Sequence, residues 1–116
     1  MKTFEVAPYG FRLHFCTVKK QAVAAYKEQT GKGFDADVAG CAWQNGLDFY
    51  LCVFDKGPAC IDTLAHEIGH TLIDMCGHIG YNPSGEQEPY CYLSGWMTKT
   101  LMFAHPKFKE ALNESS

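Results

Sequence analysis

His66, Glu67 and His70 stand in the order His-Glu-Ile-Gly-His, within a segment whose apolar residues recur at helical spacing. In a helix of 3.6 residues per turn, positions four apart lie about 40° apart around the axis, so both imidazoles point the same way. Two neutral imidazole nitrogens suit Zn²⁺. A carboxylate one residue along lies beside such an ion without binding it, placed to take a proton from metal-activated water. Two ligands and a base thus fit within one turn. The plainer reading is that two histidines and a glutamate have met by chance on a surface helix.

A catalytic zinc ion usually keeps three protein ligands and one open position. Beyond His70 the candidates for the third are Asp74, His78, Glu86, Glu88 and His105. Asp74, one turn further along, lies too far up the axis to share the ion and better suits a hydrogen bond to a His70 nitrogen. His78 follows Gly77, where the helical pattern stops, and bends back only through a tight turn. Glu88 opens a second helical pattern, with Pro89 behind it in a position that welcomes proline. A long loop before an antiparallel helix brings that start back over the motif. Glu88 therefore leads, ahead of Glu86 and His78; the competing role is a surface carboxylate that stabilises a helix N-terminus.

The elements that must position these residues read as α+β. Residues 10–16 alternate and carry aromatics, as a strand does. Thr17 is placed to cap a helix across about 18–30, with Val23 and Tyr26 on one face and Gly31 ending it. Segments 38–44 and 47–54 flank Asn45-Gly46, a dipeptide suited to a type I′ hairpin turn, and the second arm is apolar on both faces. After a turn at Asp55-Lys56-Gly57-Pro58, the residues Ile61, Leu64, Ala65, Ile68, Leu72 and Ile73 recur at helical spacing as far as Gly77. Residues 79–87 form a loop, about 88–103 a second helix, and about 105–116 a polar tail prone to fray. A glycine mid-helix costs about 1 kcal/mol relative to alanine, so Gly69 predicts a closely packed neighbour. Trp96, at helical spacing, reads as core.

The 116 residues fit one domain, and 47% hydrophobic against 20% charged residues predicts a packed core rather than disorder. The net charge is −3 and no basic run exceeds Lys19-Lys20, which argues against nucleic acid or an anionic membrane as the partner. No apolar run approaches a membrane span. The first ten residues lack the apolar stretch of a secretory signal, so a cytoplasmic location is expected. Six cysteines, at 16, 41, 52, 60, 76 and 91, invite a disulfide reading. Without a signal or a Cys-x-x-Cys pair, and with most of them at apolar positions, they read instead as free thiols.

The HExxH motif, a short loop and then an acidic residue starting a second helix resemble the gluzincin plan. The segments TLAHEIGHTLID and SGEQEPYCYLSGWMTK are similar to small zincin-like proteins carried by bacteriophages and prophages. In those proteins a Glu followed by aromatics and a Gly-aromatic pair opens the helix after the motif, which maps onto Glu88, Tyr90, Tyr92, Gly95 and Trp96. The chain also resembles peptidases of phage-repressor control, but lacks their Asn-x-Phe-Ala pattern and any helix-turn-helix segment. Cys76 stands where a metzincin places its third ligand; Ile73 replaces the glycine that turns the chain there, so Cys76 reads as a buried or helix-end residue.

The resemblance implies a minimal zincin-like domain over 1–116, with a small antiparallel or mixed sheet packed on the HExxH helix and the Glu-bearing helix. It implies a zinc-dependent peptidase acting on a peptide or protein substrate, with metal-activated water and Glu67 as general base. A transition-state oxyanion needs a donor besides the metal. Tyr92, four residues after Glu88 on the same helix face, is the first choice, ahead of Tyr81, His78 and His105, with a core aromatic as its competing role. Two other classes stay open: a phage-encoded zincin scaffold that binds a partner without hydrolysing it, and a small domain without metal. The intact Glu67 favours an enzyme, because a structural zinc site needs four protein ligands and no base.

Overall fold

Side chains alternate along a strand, and that alternation gives the middle of the sheet two different faces. In Phe11–Cys16 (β2), the buried Phe11, Leu13 and Phe15 share one face; in Asp48–Val53 (β4), Phe49, Leu51 and Val53 join them. The computed structural model describes residues 1–34, 37–55, 60–80, 82, 84–85 and 87–108. The predicted turn at Lys56-Gly57-Pro58 lies outside the described residues, as do Tyr81, Glu86 and the chain beyond Phe108. β2 and β4 run parallel at the centre of a four-stranded mixed sheet. Lys2–Val6 (β1) pairs antiparallel with β2, and Gly40–Asn45 (β3) antiparallel with β4, giving the order β1-β2-β4-β3.

Two helices cover the apolar face. Leu64, Ile68, Leu72 and Met75 of Cys60–His78 (α2) and Leu93, Met97 and Leu101 of Glu88–Ala104 (α3) form one core with the sheet's Phe and Leu residues. Burying each such side chain is worth roughly 1.5–3 kcal/mol, so this core fixes α2 against the sheet. Lys19–Thr30 (α1) lies on the other face, where Ala22 packs with Cys16 and Cys52. The fold is α+β, as the pattern of the sequence predicts. No helix among the described residues is long and apolar enough to cross a membrane.

Several local expectations are corrected. β1 is a strand although it buries only Val6, because its backbone is held by pairing from Lys2↔Phe15 to Val6↔Phe11. Thr17 does not cap α1: the N-cap position is Val18, which makes no side-chain capping bond, while Gly31 ends the helix as predicted at φ 73°. The hairpin register pairs Asn45 with Asp48, so Gly46 and Leu47 are the turn residues. Only Gly46 has a positive φ, the pattern of a type II′ rather than a type I′ turn. α2 runs past Gly77 to His78 and the chain leaves it at Gly80, whose φ is 70°. The segment after α3 does not begin as a frayed tail, because His105 and Phe108 are buried and Phe108 belongs to the main core.

Candidate metal centre

The apolar stripe of α2 decides which way the motif faces. With Leu64, Ile68, Leu72 and Met75 turned into the core, His66 and His70 stand on the exposed side of the helix. Their Nε2 atoms lie 3.1 Å apart and their rings meet at 75° with centroids 4.7 Å apart. Two nitrogens each about 2.0–2.1 Å from one tetrahedral zinc ion stand about 3.4 Å apart. The pair is therefore within a few tenths of an ångström of the separation a shared ion demands, and the donor set is the one zinc favours.

Glu67 turns a different way from the histidines beside it. It is only 6% exposed, against the start of β3, and with His66, Thr63 and Asp62 it forms the helix wall of a hollow of about 390 Å³ whose other wall is Val38, Ala39 and Gly40. Burial pushes its carboxyl above the ordinary value, while the neighbouring His66 and His70 pull the other way. One turn earlier, Thr63 is tied to the end of β4 by donating to Asp55 Oδ2 at 2.7 Å.

Gly40 makes that contact possible. A Cβ there would lie 2.6 Å from the Cys52 carbonyl oxygen, 2.7 Å from Thr63 Cγ2 and 3.2 Å from Glu67 Cγ. The helical pattern predicts the closely packed glycine at Gly69 instead. A Cβ at Gly69 meets nothing within 4 Å, so that expectation is overturned. The available signal for Gly40 was a glycine opening a strand, which often marks a close backbone approach.

Among the described residues, no group of three His, Cys, Asp or Glu side chains is placed to hold a metal ion. Glu88 stands in the first turn of α3, exposed, in a hollow it shares with Ala7, Pro8, Tyr9 and Tyr92. The structure thus brings His66, Glu67 and His70 together and sets Glu88 and Tyr92 beside the turn between β1 and β2. Tyr92, 76% exposed, is not a core aromatic, and Trp96 is also exposed. His78 hydrogen-bonds Gln44 Nε2 through Nδ1 at 3.0 Å and packs edge-on against Phe11. His105 is buried beside Phe15 and Phe108, its Nδ1 accepting from Lys107 N at 3.2 Å, and desolvation lowers its pKa. Asp74 is half-buried, and the hydrogen bond made by His70 runs to His66. Glu86 and Tyr81 fall outside the described residues. Cys76 is buried, as predicted, and burial raises its pKa. No protein-family model, curated protein or solved structure matches the chain.

Proposed function

We propose that the chain is a zinc-dependent peptidase of gluzincin-like plan, in which His66 and His70 hold the ion and Glu67 is the general base. The observation that carries this reading is the convergence of the two Nε2 atoms to 3.1 Å beside a buried carboxylate with a raised pKa. When bound, zinc supplies Lewis acidity, polarising a carbonyl and making water a nucleophile near neutral pH. Glu67 takes the proton from the attacking water and passes it to the leaving amine, and a pKa lifted toward the working pH suits both transfers. Among the described strands β3 is an edge strand next to the motif, so its free side offers main-chain pairing to an extended peptide. The proposed third ligand is Glu88, and to reach the histidines the first turn of α3 must move away from the β1–β2 turn.

A second reading is favoured by the separation of Glu88 and Tyr92 from the histidines: a zincin-like scaffold, of phage origin, that binds a partner without hydrolysing it. Incubation of untagged, zinc-loaded protein with a broad peptide library separates the two. Cleavage that disappears on chelation and in Glu67→Gln supports the peptidase. Zinc-loaded wild type that cleaves nothing supports the scaffold.

A further inference from the structure

Three cysteines form a row across the sheet, on the face opposite the main core. Cys16 of β2 is in register with Cys52 of β4, and Cys52 is in register with Cys41 of β3. Residues paired in register point to the same face, so the three thiols lie together beneath α1, packed with Ala22, Phe34, Trp43 and Phe54. Cys16 and Cys52 share one buried cluster with Cys41 packed against it, and all three are free thiols. A lone buried cysteine packs as a small hydrophobe, but sulfurs in contact are one oxidation away from a covalent bond.

The hairpin geometry allows a bond between Cys41 and Cys52. Phe54 N donates to Ala39 O at 2.8 Å, which makes that pair a hydrogen-bonded one and, by alternation, Cys41 and Cys52 another. Such pairs hold their Cα atoms about 5.5 Å apart, within the roughly 4.4–6.8 Å that a disulfide spans. Access selects this bond over one between Cys16 and Cys52, since Cys41 is partly exposed while Cys16 and Cys52 are buried.

We propose that Cys41 and Cys52 close a reversible disulfide across the β3–β4 hairpin when the protein meets a hydroperoxide, with Cys16 accepting the proton from Cys52. The Cys41 thiolate attacks one peroxide oxygen; the S–O bond forms, the O–O bond breaks, and hydroxide (or alkoxide) leaves. Cys52 passes its proton to the Cys16 thiolate and attacks the Cys41 sulfenic sulfur. The S–S bond forms, the S–O bond breaks and a second hydroxide leaves, so the two thiol sulfurs supply the two electrons that the peroxide takes. The surroundings suit this order: the neighbouring Cys52 lowers the pKa of Cys16, whose thiol also lies 3.1 Å from the Val18 carbonyl oxygen, and Cys16 and Cys41 push that of Cys52 up. The bond fastens the edge strand at the residue after Gly40, and it stands independently of any metal at His66 and His70.

The test is peptide mapping of the reduced full-length protein after stoichiometric hydrogen peroxide. Trypsin cleavage after Lys32 and Lys56 leaves Cys41 and Cys52 in one peptide, 33–56, whereas Cys16 falls in 13–19. The expected result is peptide 33–56 lighter by about 2 Da, two of the six thiols lost, and both changes undone by dithiothreitol. Retention of all six thiols, a bridge joining 13–19 to 33–56, or oxidation confined to the exposed Cys91 would each overturn the proposal. In Cys16→Ser the closure should slow about 10²-fold while a dione reagent traps the sulfenic acid at Cys41. Closure at the wild-type rate in that variant removes Cys16 from the sequence of steps, and the wild-type map decides the bond even where the variant fails to fold.

Discussion

Gly40 and Glu67 touch across the gap between the edge strand and the HExxH helix, so closely that a methyl group on Gly40 would lie 3.2 Å from Glu67 Cγ. That contact sets the chemistry of the carboxylate. Backbone closing over Glu67 removes water from one side of it, and the lost hydration is what raises its pKa. A side chain at position 40 would hold the strand off and leave the base wetter and more acidic.

Gly40→Ala should destabilise the protein by about 1–3 kcal/mol, because the added carbon meets the Cys52 carbonyl at 2.6 Å as well as two side chains, and backbone cannot step aside cheaply. Gly69→Ala, in open space on a helix, should stabilise it by up to about 1 kcal/mol. Urea unfolding of the two variants reads both signs. A Gly40→Ala protein as stable as wild type would mean that β3 does not approach α2 in this way.

The legible parts of the sequence were those governed by local pattern. Apolar residues at helical spacing place α2 and α3 almost to the residue, and the strict alternation in Phe11–Cys16 places β2. β1 was not legible, because its buried contribution is Val6 alone and its stability comes from backbone pairing with β2, which its own side-chain pattern does not announce. The same limit governs the site. His66, Glu67 and His70 share one turn and are visible as a motif, whereas Gly40 meets Glu67 only after the sheet has formed. The side chains that fill space near a loop, such as Glu88 and Tyr92, depend on the path of that loop rather than on any periodicity. The cysteine row was hidden for a similar reason, since it exists only through the registers of three strands.

On the sheet, Asp48 accepts from Arg12 Nε at 2.7 Å and Nη2 at 2.9 Å, and lies 2.7 Å from His14 Nε2. The bonds from Arg12, then from His14, hold its carboxyl down at about 2. A lowered pKa means that the unfolded chain takes up the proton first, so this contribution is present above the ordinary value of 3.8 and is lost as pH falls from there towards about 2. Stability measured by urea unfolding across that window should fall less steeply in Asp48→Asn than in wild type. Because the Arg12 side chain is largely exposed, added salt should blunt the difference. Identical acid limbs for the two proteins would show that the Arg12 and His14 bonds do not persist in solution.

Zinc binding tests the third ligand directly. His66→Ala and His70→Ala should each abolish stoichiometric zinc in protein purified without a metal-affinity tag. If α3 moves to complete the site, Glu88→Gln should weaken zinc strongly and Glu86→Gln and His78→Ala much less. Zinc should then also raise the unfolding midpoint, since ligands drawn from two helices are gathered only in the native state. A larger loss in His78→Ala would place the ligand at the end of α2, at the expense of its bond to Gln44. Zinc affinity untouched by all three variants would leave the two histidines as the whole protein contribution.

Glu67→Gln separates the cost of the buried carboxylate from its use. A raised pKa means that the native state holds the proton longer than the unfolded chain, so stability falls as pH rises above the ordinary carboxylate range and does not recover at neutral pH. Glutamine keeps the shape and removes the charge. In metal-free protein the variant should match wild type in acid and be the more stable of the two at neutral pH, a difference that urea unfolding at two pH values measures. Zinc content should not change, because the carboxylate is not proposed as a ligand. Peptide hydrolysis should fall by about 10²–10⁴-fold, the usual worth of a general base. A variant less stable than wild type at neutral pH would mean that Glu67 is held by a favourable partner rather than desolvated, and hydrolysis at the wild-type rate would remove it from the mechanism.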